Sequence, residues 1–317
     1  MSHIMTVLGP IAPQALGFCQ SHEHLCLLPG WCGRQNPPHR IDDRRLSTLE
    51  LLDFYALGGR AAVDAQPAGC GRDGDFLADI SQQSGVHIVS STGFHKLCFY
   101  PPDHWITTAS EDMLAEMWQR ELEEGMYAPC DTAPPERQTA ARAGQIKSAV
   151  NREGLTERYR LLFRAAARAQ KATGAPLMVH IERAGQAMET ADFLEGLGVP
   201  PERVILCHLD RAEPDLSAHI ALCRRGYALE YDTVARYQFH DDHHEAALVL
   251  SMLEAGCASS LLMGMDTTRI RLKHYGGPVG LSYFFTDFLP RLRRAGVEDS
   301  TFQQIFVENP ARRFSVG

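Results

Sequence analysis

The sequence predicts an α/β fold, a (β/α)8 barrel, and three observations carry that prediction. Eight short apolar runs, most ending in a polar residue, alternate with helix-like amphipathic stretches. The polar residues that end those runs recur at multiples of one strand–helix unit. The chain of 317 residues accommodates one barrel of roughly 250 residues with insertions. A strand followed by a helix returns parallel to its predecessor, because a parallel pair needs a crossover connection. Eight such units favour closure into a barrel over an open doubly wound sheet.

Taken in order, residues 5–17, with Gly9-Pro10 at a turn, predict a small hairpin ahead of the barrel. The barrel then occupies 18–317 as part of a single domain. Strands are expected at 18–25, 61–67, 86–92, 144–150, 176–182, 204–210, 227–233 and 261–266. Helical stretches at 156–173, 185–198 and 214–226 end at or next to glycines that suit a helix C-terminus. Segments 26–58 and 96–142 carry Pro29-Gly30, Pro37-Pro38, Pro101-Pro102 and Pro134-Pro135 and read as long loops after strands one and three. Both lie at the strand ends where barrel active sites form. Segment 128–142 has a competing reading as a linker between two domains, but the strand after it continues the same repeat.

The 31 basic and 39 acidic side chains leave a net charge of −8. That balance argues against nucleic acid or an anionic membrane as the main partner. An apolar share of 44% with 22% charged residues excludes a disordered chain. No apolar run approaches the roughly 18 residues that span a bilayer. Residues 1–5 lack the basic n-region and apolar stretch of a secretory signal, and His3 within them is set aside as a candidate. Nine scattered cysteines without a CxxC pair read as reduced thiols of a cytoplasmic protein.

The strand ends hold the chemistry. Strand one ends His22-Glu23-His24, strand four holds Lys147, strand five His180, strand six His208 and strand eight Asp266. The separations 147–180 and 180–208 are 33 and 28 residues, each near one unit of about 31. The 58 residues from 208 to 266 make two units and leave strand seven for 227–233. His22 and His24, two apart, share one strand face while Glu23 takes the other. Such a pair can chelate one metal ion, His180 and His208 suit a second, and Asp266 is a hard oxygen ligand for Zn²⁺ or Mn²⁺. An ammonium at Lys147 would be repelled there, which favours the neutral amine. A neutral lysine reacts with CO₂ to give a carbamate, an anionic ligand able to bridge two metals. Singly, each residue has an ordinary reading: a chance HxH, a hydrogen-bonded core histidine, a surface lysine, a helix-capping aspartate. Gathered at one end of a barrel, they point to a metal site.

The segments LGFCQSHEHL (16–25), STGFH (91–95), AGQIK (143–147), MVHIE (178–182), ILCHLD (205–210), MGMD (263–266) and ENPARRF (308–314) resemble the phosphotriesterase-like branch of the amidohydrolase superfamily, in its order and spacing. The resemblance implies a (β/α)8 barrel with two divalent ions per chain, zinc foremost, with manganese, cobalt or iron as alternatives. One metal would be held by His22, His24 and Asp266, the other by His180 and His208, with N6-carboxylated Lys147 bridging. It implies a hydrolase in which a metal-bridging hydroxide attacks and Asp266 is the catalytic proton acceptor. It also implies a homodimer.

Departures from the pattern narrow the substrate. Tyr231-Asp232-Thr233 lacks the histidine that follows the strand-seven aspartate in phosphotriesterases. His95 stands where lactonases often carry a tyrosine. Arg236 and Arg269 occupy two of three positions that hold phosphate in phosphorylated-lactone hydrolases, and Leu272 stands at the third, normally a tyrosine. The expected substrate is a small molecule, a lactone or carboxylic ester with an anionic group such as a phosphorylated sugar lactone. His95, Arg236 and Arg269 are the expected substrate contacts, since guanidinium pairs bidentately with phosphate or carboxylate. Alternatives are an N-acyl amino acid amidohydrolase, an organophosphate triesterase and, in another class, a non-catalytic metal-binding barrel. Arg271 and Lys273 read as loop-solubilising. The run His240-Asp241-Asp242-His243-His244-Glu245 reads as a helix start with solvated histidines, or as a third metal site. Trp31, Phe99, Tyr100 and Trp105 either line a pocket or pack their loops.

Overall fold

A computed structural model describes residues 2–128, 130 and 136–317. The Pro134-Pro135 pair, and with it part of segment 128–142, lies outside those residues. Eleven strands form two sheets among the described residues. Strands β1 (His3–Thr6) and β2 (Gly9–Ile11) make the expected hairpin, antiparallel with Ile4 opposite Ile11. The hairpin begins at His3 rather than at residue 5, and it gains a third strand from the far end of the chain, where β11 (Ser315–Val316) pairs His3 with Val316. His3 is therefore part of the fold.

The eight strands between them are β3 (Phe18–Glu23), β4 (Gly59–Asp64), β5 (His87–Gly93), β6 (Gln145–Ala149), β7 (Leu177–His180), β8 (Val204–Cys207), β9 (Ala228–Tyr231) and β10 (Leu261–Met263). All neighbours run parallel in sequence order. Closure runs just past β10: the backbone N–H groups of Met265 and Asp266 donate to the His22 carbonyl at 3.2 and 2.9 Å, and Ser21 Oγ donates to the Met263 carbonyl at 2.9 Å. Gly264 is required at this seam, since a Cβ there would sit 2.6 Å from the His22 carbonyl oxygen.

Two predicted loops contain barrel helices. Segment 26–58 holds Arg44–Ala56, whose N-cap Asp43 accepts from Leu46 N, and segment 96–142 holds Glu111–Glu123, capped by Ser110. Each is the crossover helix its strand needs, and Pro37-Pro38 and Pro101-Pro102 punctuate only the approach to it. A buried bidentate ion pair fastens the second helix: Arg72 Nη2 lies 2.6 Å from Glu121 Oε1 and Nη1 2.9 Å from Oε2. The helix Glu157–Thr173 buries Tyr159, Leu162, Phe163, Ala166 and Gln170 on one face and stops at Gly174, φ +73°.

Alternation along each strand puts every second residue inside the barrel. The lower interior is apolar, from Ala61, Val63, Val89, Met178, Ile205, Ala228 and Leu262, plugged by Ile4, Leu16 and Phe314. The terminal ENPARRF motif closes that end: Asn309 Nδ2 donates to the Ala258 and Leu261 carbonyls, and Arg313 donates to those of Glu202 and Gly226. One turn higher, the same faces carry His22, Lys147, His180, Glu230 and Asp266. No helix among the described residues is long and apolar enough to cross a membrane.

Candidate metal centre

All six ligand candidates meet at the C-terminal mouth of the barrel. His22, His24, His180, His208 and Asp266 line one cavity of about 320 Å³, and Lys147 stands beneath it, fully buried, with Nζ 3.4 Å from His22 Nε2. Gly93 makes room for that strand, because a Cβ there would collide with the Lys147 carbonyl. One atom each from His22, His24 and Asp266 lies within 4.8 Å of the others. The His180 and His208 rings are 4.4 Å apart, and His22 lies 4.9 Å from His208.

Second contacts orient the rings. His22 Nδ1 is 3.1 Å from Glu230 Oε2 and 3.3 Å from Asp232 Oδ2, and His208 Nδ1 is 2.6 Å from Asp232 Oδ1. A carboxylate on Nδ1 sets the tautomer that leaves Nε2 with its lone pair facing the cavity. His180 is turned the other way, with Nε2 at 2.7 Å from Glu182 Oε2, which leaves Nδ1 free to bind. Burial holds the rings neutral: His24 is pushed down to about 4 and His180 to about 3, each chiefly by burial, and burial, then Lys147, keeps His22 far below its ordinary range. Neutral imidazole is the ligating form. His24 Nδ1 is buried without a hydrogen-bond partner. The donor set and its geometry fit a pair of divalent cations.

Two candidate residues take backbone shapes that side chains avoid. His208 has φ +66° and Asp266 φ +44°, left-handed values that cost about 1 kcal/mol or more outside glycine. Each is held by its neighbours. His208 N donates to Asp232 Oδ2 at 3.2 Å, and Arg271 donates to the Met265 and Asp266 carbonyls at 2.6 and 3.2 Å and to Val234 O at 2.7 Å. Arg271, read from sequence as a surface charge, is thus a buried brace under the strand-eight loop, because three loop carbonyls have no strand partner. Lys273 is exposed, as expected.

Arg236 reaches the cavity and pairs with Asp266 Oδ2. Burial, then Arg211, pushes its guanidinium down to about 9. His95 also lines the cavity, edge-on to Phe99 at 4.5 Å, and its Nδ1 accepts from Lys96 N at 2.7 Å. Arg269 does not reach it. Its Nη1 donates to Arg40 O and to Asp42 Oδ1 at 3.1 and 3.0 Å, and its guanidinium lies over Tyr275. Of the four loop aromatics, Phe99 is on the cavity wall, while Tyr100 and Trp105 are buried in loop packing.

Sequence reasoning missed three polar residues of the wall. Arg211 pairs with Asp266 Oδ2 at 2.8 Å and with Asp232 Oδ1 at 3.1 Å. It follows His208 by three residues on the short helix Leu209–Ala212, so HLDR contained the signal. Glu182 lies two beyond His180, on the same strand face, and takes Lys96 Nζ at 2.8 Å. Hydrogen bonds from His180 and Lys96 outweigh burial and hold Glu182 at about 2.

The model of the Phosphotriesterase family matches residues 2–314. The chain belongs to the phosphotriesterase family. Among relatives in this family, a phospho-furanose lactonase of Mycoplasmopsis agalactiae is 28% identical, over 97% of this chain and 90% of that protein. The N-acetyltaurine hydrolase of Homo sapiens is 26% identical over 97% and 96%. The crystal structure of a lactonase from Listeria monocytogenes superposes with a TM-score of 0.90 at 30% identity, covering 98% of both chains. Family membership agrees with a barrel whose mouth gathers metal-ligating side chains.

Proposed function

We propose that this protein is a metal-dependent hydrolase that opens a lactone, or another carboxylic ester, bearing an anionic substituent such as a phosphate. The observation that carries the reading is the convergence of two guanidinium groups, Arg211 and Arg236, on Asp266 in the cavity that the histidines line. On this reading His22, His24 and Asp266 would hold one cation and His180 and His208 the other, with a carboxylate formed on Lys147 from CO₂ as a further anionic ligand. Lys147 Nζ, buried and without an ion-pair partner among the described residues, is suited to that conversion. Zinc matches the mixed nitrogen and oxygen donors; such ions would supply Lewis acidity to a substrate carbonyl and would lower the pKa of a bound water from 15.7 toward about 7.

The chain's own groups do the rest. Asp266 Oδ1, on the side facing His24, accepts the proton of the attacking water and returns it to the departing ring oxygen. Arg211 and Arg236 orient the substrate by gripping its anionic group, in keeping with bidentate pairing of guanidinium to phosphate or carboxylate. His95, with Nδ1 occupied by Lys96 N, presents Nε2–H as a donor. Arg269 has no place in this reading, and Arg211 supplies the second cation.

A second reading is favoured by the same cation pair: cleavage of an N-acylated acid, whose carboxylate or sulfonate would occupy Arg211 and Arg236. A neutral organophosphate triester carries no anionic group for the two guanidinium groups to grip, which disfavours it. The test is a hydrolysis panel of free and phosphorylated furanose lactones, N-acyl amino acids, N-acetyltaurine and a paraoxon-like triester. The highest kcat/KM is expected on an anionic lactone, reduced at least tenfold by Arg236→Met through KM. Fast turnover of the neutral triester alone would overturn the reading.

A further inference from the structure

The run His240 to Glu245 does not behave as one solvated cluster. Asp241 caps the helix Asp242–Glu254, accepting from His243 N and His244 N, and His243 and His244 are exposed. Glu245 turns inward instead. It is fully buried, and neither carboxylate oxygen accepts from an N–H or hydroxyl donor among the described residues; its hydrogen-bonding partner is the carboxyl group of Asp210. Asp210 faces it from the strand-six loop, also buried. Its Oδ2 accepts from Asp232 N and Thr233 N at 2.8 and 2.6 Å, while Oδ1 accepts from no N–H or hydroxyl group among the described residues.

His240 completes the group. Its Nδ1 lies 3.2 Å from the Asp241 carbonyl, so an Nδ1–H donates there and Nε2 keeps its lone pair. That Nε2 stands 3.3 Å from Glu245 Oε2 without the alignment of a hydrogen bond. One donor atom from each of Asp210, His240 and Glu245 lies within 4.8 Å of the other two. The strongest charges acting on Glu245 are those of Asp210, Asp232 and Asp242, all carboxylates. Buried carboxylates massed without a counter-charge are costly. The nearby guanidinium of Arg211 is directed to Asp232 and Asp266 instead.

A separate cleft of about 600 Å³, lined by Asp210 and His240, leads to this group. Arg211 and Phe239 form a wall common to it and to the barrel-mouth cavity. We propose that Asp210, His240 and Glu245 form a third cation site, holding a zinc-class divalent ion with its fourth position open to this cleft. Two carboxylates and one imidazole are a donor set for such an ion, and two carboxylate charges balance it. None of the three residues belongs to the candidate centre at the barrel mouth. The ion would be linked to that centre through Asp210, which fixes the backbone of Asp232, which in turn holds His208. Asp210, His240 and Glu245 are therefore positioning residues.

The test counts zinc per chain by elemental analysis after equilibration with zinc chloride, in the unaltered protein, His240→Ala, Glu245→Gln, and a His24→Ala/His180→Ala background that takes one ligand from each cation of the barrel-mouth centre. His240→Ala removes a side chain at the cleft edge and leaves the folded chain intact, which its thermal melt verifies. Each single variant is expected to lose one zinc per chain. The His24→Ala/His180→Ala background keeps a zinc that disappears when His240→Ala is added, so failure of the barrel-mouth reading is separable from failure of this one. Unchanged zinc content in both His240→Ala and Glu245→Gln overturns the proposal. So does a Glu245→Gln protein that melts higher than wild type at equal zinc content, which would mark a proton shared between Asp210 and Glu245.

Discussion

The two ends of the barrel interior are built on the same eight strands and do opposite things. At the lower end, inward positions hold Val63, Val89, Met178, Ile205 and Leu262, packed against Ile4 and Phe314 from the three-stranded sheet. Further along these strands, or just past their ends, stand His24, His95, Lys147, His180, Glu230 and Asp266. The lower end is stabilised by burial of apolar surface, worth about 1.5–3 kcal/mol for each large side chain. The mouth gathers neutral imidazoles, two left-handed non-glycine residues and carboxylates that burial pushes upward, with Glu230 at about 8. It is held by hydrogen bonds and ion pairs, chiefly Asp232, Arg211 and Arg271. The difference shows where a barrel can tolerate strain: only above a plug that stabilises the strands independently.

Four substitutions sharpen or break that contrast. At the mouth, Asp266→Asn is expected to lower kcat on the preferred lactone by roughly 10²–10⁴-fold, the range of general acid–base catalysis, with metal content and melting temperature retained. Full turnover in that variant would remove Asp266 from the reaction. At the plug, Phe314→Ala is expected to cost about 3–5 kcal/mol in urea unfolding, while kcat of the folded protein stays near wild type. A loss of activity at unchanged stability would mean the ends are not independent.

Arg271→Met leaves three loop carbonyls without a donor. It is expected to destabilise by about 1.5–3 kcal/mol and to lower kcat more than it raises KM, because the Asp266 backbone loses its brace. Partial rescue by Arg271→Lys would separate the hydrogen bonds from mere packing.

The smallest effect concerns His219, buried between Tyr231 and the Glu213 carbonyl on the outer side of the sheet. Burial holds it below its ordinary 6.5, so between that pH and its folded value the unfolded chain binds a proton that the folded chain does not. Stability therefore falls as pH drops below 6.5, by at most about 1.4 kcal/mol per pH unit. Comparing melts at pH 7.5 and 5.5, His219→Gln should lose less stability over that interval than wild type. An identical slope would show that the ring binds protons equally in the folded and unfolded chain over that interval.

Much of the mouth was legible in the chain because strand geometry is local. The i, i+2 pair His22/His24 and the 28-, 33- and 58-residue separations follow from a period of two within strands and a near-constant strand–helix unit between them. Arg269 and Arg271 show where that legibility stops. Both follow strand eight in a loop, where no periodicity assigns direction. Sequence suggested Arg269 for the substrate and Arg271 for solvent, whereas Arg269 bonds to Asp42 and Arg271 is buried against three carbonyls. The helices inside 26–58 and 96–142 were obscured by Pro37-Pro38 and Pro101-Pro102, which mark only their approaches.

By itself the sequence determined the eight strands, their parallel order and the six side chains that reach the mouth, since alternation and repeat length are properties of neighbouring residues. Tertiary structure decided what surrounds them: the pairing of Arg211 and Arg236 on Asp266, the inward turn of Glu245 toward Asp210, and the joining of His3 to Val316 across the whole chain. Those contacts depend on which loops and termini meet in space, and no local pattern encodes a meeting between residues so far apart.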